Sequence, residues 1–216
     1  MPLRAVSFDL DGTLFRSTPL LFREALRRVV GEDLAPLFRR QRELLRQGDP
    51  KGFDWEHLIG APLAPTYRAI LQEHALELRA EAQRVLPLIQ ALRSIGVRLL
   101  VATDGYAIFQ SSVLEIAGLE FDQLLSPEQT GFLKADPRYW HNLPPLIHLG
   151  DSPLSDIQGP REAGLRAIWV SSARLADYPQ ALEEEARRWG VVPSPALLPE
   201  AVFPEVGRLA EYLGVG

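Results

Sequence analysis

The sequence predicts an α/β fold, a doubly wound parallel sheet with an all-helical cap inserted after the first strand. Three observations point there. Short apolar runs alternate with amphipathic helical stretches, the rhythm of a parallel sheet covered on both faces. Gly96, Gly118, Gly164 and Gly190 each stand just past one of those stretches, where a chain leaving a helix often turns left-handed. Residues 15–80 break the rhythm and read as helix alone.

Taken in order, the run Ala5-Val6-Ser7-Phe8 is the first buried strand. Helices are expected at 19–30, 34–47 and 65–78, with a less regular one at 53–59. In the first of these, Leu20, Leu21, Ala25, Leu26 and Val29 form an apolar face, with Arg23, Arg27 and Arg28 opposite. Further strands are expected at 97–102, 121–125, 146–149 and 165–170. Helices at 81–95, 106–117, 154–163 and 179–189 alternate with them, and a last helix at 204–213 packs back on the sheet. The stretch 191–202, with Pro193, Pro195 and Pro199, reads as irregular. This divides the chain into a core of 1–14 plus 81–216 and a helical cap of 15–80.

Bulk properties limit the function classes. A 46% hydrophobic, 24% charged chain of 216 residues is an ordinary globular protein with room for one core and a small insert. A net charge of −5 argues against a general nucleic-acid binder. No apolar run approaches a membrane span, and no signal peptide precedes the first strand. With no cysteine, disulfides, thiol catalysis and zinc–thiolate sites are excluded, and the cytoplasm is the default compartment. One asparagine, one methionine and 18 prolines suit a thermophile.

The chemistry starts at Phe8-Asp9-Leu10-Asp11-Gly12-Thr13. Open α/β sheets place ligands at the carboxyl ends of their strands, where Asp9 and Asp11 emerge. In extended chain the two acids share a side, and like charges so close call for a cation between them or a proton on one. That means a hard-metal site or a nucleophile beside a general acid. An EF-hand is excluded, because no further acid or closing glutamate follows at the loop spacing.

Three later strand ends add to the set. Thr103-Asp104-Gly105 follows the second strand at the start of a helix, where a hydroxyl and free N–H groups can face an anion. Lys134 follows the third, one of two lysines against 21 arginines, so that a compact ammonium is selected there. Asp151 leaves the fourth strand and Asp156 lies about one turn into the next helix. Acids for a metal, a hydroxyl donor and a cation at one sheet edge make a magnesium-dependent phosphoryl-transfer site.

These motifs, in this order and spacing, resemble the haloacid dehalogenase superfamily of phosphatases and phosphotransferases. Asp9 and Asp11 match its first motif, Thr103 the second, Lys134 the third, and Asp151 with Asp156 the fourth. The segment 15–80 looks like a C1-type cap. The tracts 121–137 and 148–151 look closest to phosphoglycolate-phosphatase-like and nucleotidase-like members. The resemblance implies a Mg²⁺-dependent phosphatase acting on a small soluble phosphorylated substrate. Asp9 would be the nucleophile and Asp11 the general acid and base. Mg²⁺ would be held by Asp9, the Asp11 carbonyl and Asp151. Thr103, the Asp104 backbone N–H and Lys134 would hold the phosphoryl group, with Asp156 orienting Lys134.

Asp11 argues against carbon–halogen cleavage, because the dehalogenases lack that second acid. A sugar-phosphate mutase keeps every one of these residues and stays an alternative, as does a catalytically quiet phosphate-binding protein. Two positions depart from the pattern: Asp104, where asparagine is common, and Ala135, where proline is frequent. A carboxylate beside a phosphate dianion weakens binding unless it points away or meets a basic group. Of the other candidates, Arg23, Arg27, Arg39, Arg40, Arg42 and Arg46 make the cap basic. His57, His74, His141 and His148 lack metal-ligand spacing, and His148 reads as a packed or hydrogen-bonded strand residue. The tryptophans read as packing, with Trp55 a candidate to line a cap pocket.

Overall fold

The computed structural model of the protein describes residues 3–215. Strand β1 (Ala5–Phe8) is buried throughout. A helical segment follows: α1 (Thr18–Val30), α2 (Ala35–Arg46), a 3-10 turn at Pro50–Phe53, α3 (Trp55–Ile59) and α4 (Ala64–Glu73). The long α5 (Ala75–Ser94) leads into β2 (Arg98–Ala102), α6 (Ala107–Ala117), β3 (Gln123–Leu125) and the short α7 (Pro127–Thr130). Next come β4 (Leu146–Gly150), a π-turn at Pro153–Gln158 running into α8 (Gly159–Glu162), β5 (Arg166–Val170), α9 (Tyr178–Trp189), β6 (Ala201–Phe203) and α10 (Leu209–Leu213).

The six strands lie in the order β3-β2-β1-β4-β5-β6, every pair parallel. This is the doubly wound α/β arrangement that the sequence predicts. β1 sits in the centre, Val6 beside Leu99 on one flank and Ile147 on the other. Chain order reverses across β1, and the carboxyl edge there is where such sheets open a crevice. Strands buried on both faces need apolar side chains on both: Val6, Phe8, Leu99, Val101, Ile147 and Leu149 cover one face, and Ala5, Leu100, Ala102 and Leu146 the other.

One continuous core joins a face of the sheet to the helical segment: Leu26, Trp55, Tyr67 and Ile70 belong to the same buried cluster as Val6 and Phe8. A second cluster, with Leu100, Leu125, Tyr139 and Trp140, backs the other face. Glu81, on α5, ties down the start of the helical segment by accepting from Arg16 N–H at 3.1 Å and Ser17 Oγ at 2.8 Å. No described helix is long and apolar enough to cross a membrane.

Several boundaries differ from the sequence reading. A sixth strand, β6, lies at the end of the stretch read as irregular. It is three half-buried residues, too short for a period to show, and is held by Ser171 N–H donating to the Phe203 carbonyl at 2.7 Å. The helix expected over 65–78 breaks at His74, whose φ of −103° and ψ of 18° turn the chain. From there α5 runs unbroken past residue 80, packing against β2 and α6. The expected helix 154–163 is a wide π-turn followed by one α-turn. On α1, Leu20 points to solvent and Phe22 turns inward instead.

Candidate active site

The loop after β1 is shaped by its apolar residues. Leu10 and Phe15 are fully buried, and the Leu10 carbonyl accepts from the N–H groups of Leu14 and Phe15. That tight turn forces φ to +91° at Gly12, a conformation glycine takes without strain. Asp9 stays in line with its strand, its N–H donating to the Leu149 carbonyl at 2.8 Å. The two acids therefore reach the sheet edge directly.

Lys134 arrives in a loop pinned from behind, where Trp140 Nε1 donates to its carbonyl at 2.7 Å. Its ammonium, 3% exposed, donates to Asp9 Oδ1 at 2.5 Å and to Asp156 Oδ1 at 2.6 Å. Asp156 is engaged at both oxygens: its Oδ1 also meets His148 Nε2 at 3.0 Å and its Oδ2 accepts from Ser152 N–H at 2.9 Å. His148 is fully buried and its Nδ1 lies 2.8 Å from Ser7 Oγ. Burial lowers the His148 pKa, which leaves a neutral ring donating from Nε2 to Asp156 and accepting the Ser7 hydroxyl at Nδ1. Burial opposes the ionised Asp156, but Lys134 and His148 outweigh it and hold the carboxyl at about 2.

Asp151 projects from β4 to the outer edge of the cluster, Thr13 Oγ1 donating to its Oδ1 at 3.1 Å and Trp169 Nε1 to its carbonyl at 2.9 Å. Burial and the charge of Asp156 lift its pKa to about 7. Asp11 is raised by burial as well, against the stabilising donation of Gln110 Nε2 to its Oδ2 at 2.8 Å.

Thr103 does not cap a helix, a correction to the reading that put it at a helix start. Three residues separate it from α6, and its hydroxyl accepts from Gly105 N–H at 2.9 Å within its own loop. Tyr139 buttresses that loop, its hydroxyl within 3.1 Å of the Thr103 N–H and carbonyl. Asp104 turns toward the lysine loop and accepts from Lys134 N–H at 2.7 Å, so its carboxylate crosslinks two loops. That arrangement answers the departure noted from the sequence.

All seven positions singled out from the sequence line one cleft of about 870 Å³, roofed by the helical segment. Of the cap arginines, Arg23 and Arg46 line it; Arg40 donates to the Leu58 carbonyl and Arg27 pairs with Glu32. Trp55 lines it too. The sequence reading missed Gln110, Thr13, Ser7 and Tyr139. Gln110 carried one usable signal, a polar residue on the buried face of a helix beside Phe109 and Val113.

The donor set fits a hard cation. Oxygens of Asp9, Asp151 and Asp156 lie within 4.8 Å of one another. Asp9, Asp11, Asp104, Asp151 and Asp156 share the floor of the cleft with one ammonium, that of Lys134, so acids outnumber the lysine there. Hydrogen bonding separates the candidates: both Asp156 oxygens already accept hydrogen bonds, whereas Asp9 Oδ2 is buried with no partner. Burial raises Asp9 well above the usual carboxylate range despite Lys134, so its ionised form wants a further positive charge. Asp9 and Asp151 are thus the side chains able to share a metal ion.

Comparisons with known proteins show what the chain resembles in sequence and in fold. The chain is 25% identical over 202 residues to glyceraldehyde 3-phosphate phosphatase of Methanopyrus kandleri, covering 81% of this chain and 87% of that protein. It is 32% identical over 99 residues to phosphoserine phosphatase of Thermus thermophilus, 41% of this chain and 40% of that one. Its fold matches L-2-haloacid dehalogenase of Xanthobacter autotrophicus with a TM-score of 0.61 at 16% identity, over 99% of each chain. The family model of haloacid dehalogenase-like hydrolases matches residues 3–164, and the chain belongs to that family.

Proposed function

We propose that the protein is a Mg²⁺-dependent phosphomonoester hydrolase of a small soluble metabolite, working through an aspartyl-phosphate on Asp9. The observation that carries this is the asymmetry of the Asp9 carboxylate: Oδ1 is held by Lys134 and Oδ2 is buried without a partner. One oxygen is oriented by an ammonium while the other is left for a cation. Bound Mg²⁺, held by Asp9, Asp151 and the Asp11 carbonyl, would neutralise charge on the carboxylates and the phosphoryl oxygens.

Asp9 attacks phosphorus, and the bond from phosphorus to the ester oxygen breaks. Asp11, whose pKa burial raises, gives a proton to that oxygen as it leaves. Water then attacks the aspartyl-phosphate, Asp11 takes a proton from it, and the bond between phosphorus and the Asp9 oxygen breaks to release phosphate. Lys134 remains ammonium throughout, since its three acid neighbours outweigh the cost of burial. The relatives named as phosphatases support the same chemistry. The second acid, Asp11, speaks against dehalogenation.

The test is Mg²⁺-dependent turnover of p-nitrophenyl phosphate, repeated with Asp9→Asn. Turnover that disappears with the substitution is expected. A rate untouched by Asp9→Asn would remove the nucleophile assignment, and inactivity toward a full panel of phosphomonoesters would remove the hydrolase reading.

A further inference from the structure

We propose that the substrate is a phosphomonoester with an apolar ring as its body and a carboxylate or second phosphate at its far end, the latter met by Arg23. This rests on the hydrolase reading and adds the class of molecule.

The cleft has two unlike ends. At its floor lie Asp9, Lys134 and the other acids; its roof is one face of α1, where Pro19, Phe22, Arg23 and Leu26 follow the i, i+3, i+4, i+7 spacing. Phe38 and Trp55 continue that roof. Phe22 is the hub of an aromatic cluster, its ring 5.4 Å from Trp55, 4.9 Å from Tyr67 and 5.3 Å from Phe109, yet it is only partly buried and lines the cleft. An apolar wall facing the phosphate floor suits a substrate body that gains from leaving water. A cleft of about 870 Å³ is also large for a three-carbon phosphate.

Arg23 supplies the second element. One turn further along α1, Arg27 pairs with Glu32, and Arg28 with Glu24 and Glu73. Arg23 has no carboxylate partner among the described residues; its guanidinium lies 5.8 Å from the centroid of the Phe38 ring. A cation stacked on an aromatic wall and free of acids is placed to meet an anion at the end of that wall. With so many carboxylates on the floor, the substrate's second negative charge is favoured away from them, and Arg23 is the arginine of the roof that stands on the aromatic wall.

The experiment compares glycerol 3-phosphate, benzyl phosphate and 4-carboxybenzyl phosphate with the Mg²⁺-loaded enzyme. The three leaving alcohols are of similar basicity, so the comparison reads the body of the molecule. Benzyl phosphate should exceed glycerol 3-phosphate in kcat/KM by about tenfold or more. The carboxylate should add about fivefold, and Arg23→Gln should bring the ratio of the two benzyl esters close to one. Equal or better use of glycerol 3-phosphate overturns the substrate class and leaves the hydrolase intact. A carboxylate effect that is absent, or that survives Arg23→Gln, overturns the assignment of Arg23. Failure to hydrolyse any ester overturns the hydrolase reading, and this proposal with it.

Discussion

Gln110 Nε2 donates to Asp11 Oδ2 at 2.8 Å across 99 residues of sequence, and the Gln110 amide oxygen is buried without a partner. The amide thus fixes one oxygen of Asp11, a residue that lines the cleft. Because the donor favours the ionised carboxylate, it pulls down a pKa that burial has raised. Replacing Gln110 by Leu removes that pull, so the pKa rises further. Protonated Asp11 then survives to higher pH, and the alkaline limb of kcat should move up. Loss of orientation should lower kcat by about tenfold or more with less change in KM. Profiles of kcat against pH for both proteins check this, and an unmoved limb would refute it.

Asp104 has a narrower role. Its Oδ1 accepts from Lys134 N–H, a bond an asparagine oxygen can keep, and burial already raises its pKa. Asp104→Asn should therefore fold normally, keep kcat within about threefold, and bind inorganic phosphate more tightly once a nearby negative charge is gone. Asp104→Ala should instead lose about 1–2 kcal/mol of stability, because the Lys134 N–H loses its acceptor. Competitive inhibition by phosphate and urea unfolding separate the two outcomes.

The contrast between these residues shows what the chain makes legible. Asp9, Asp11, Thr103, Lys134, Asp151 and Asp156 follow strands that apolar runs mark out, so the parallel topology alone brings them to one edge. Gln110 sits one turn inside α6, and its link to Asp11 depends on how that helix lies over the β1 loop, a tertiary fact without a local signature. β6 was hidden for a related reason. Its three residues sit in a proline-rich stretch and become a strand only because the edge of β5 offers partners. The break at His74 likewise answers to two packing demands, α4 against α1 and α5 against β2.

Metal binding should reverse the pH dependence of stability. Without metal, the Asp151 carboxyl sits at about 7 in the folded chain and near the ordinary value of about 3.9 once unfolded. Between those values the folded state binds a proton that the unfolded state does not, so stability should rise as pH falls from about 7 toward 4. His148, depressed in the folded state, acts in the opposite sense over part of this range, and Asp151→Asn isolates the carboxylate. With saturating Mg²⁺ the carboxylate is held ionised and protons compete with the ion, so stability should fall as pH falls. At a hundredfold excess over Kd the ion should add about 2.7 kcal/mol. Urea midpoints measured in EDTA and in Mg²⁺ across pH decide it; identical trends would contradict a metal at Asp151.

Gly159 sets the position of Lys134 from beneath. Its α-carbon lies so close to the lysine loop that an added methyl would overlap the Lys134 carbonyl oxygen, a backbone atom that cannot swing aside as a side chain would. The same carbonyl accepts from Trp140 Nε1, so the loop is held on both sides. Gly159→Ala should cost about 2 kcal/mol of stability by overpacking. It should also lower kcat, because an ammonium within 2.6 Å of two carboxylates has little room to follow a shifted backbone. Gly207→Ala, which meets nothing within 4 Å, should leave both quantities unchanged. Thermal melts and turnover of the two variants make the comparison, and an active, fully stable Gly159→Ala protein would show that the lysine loop is not held by this contact.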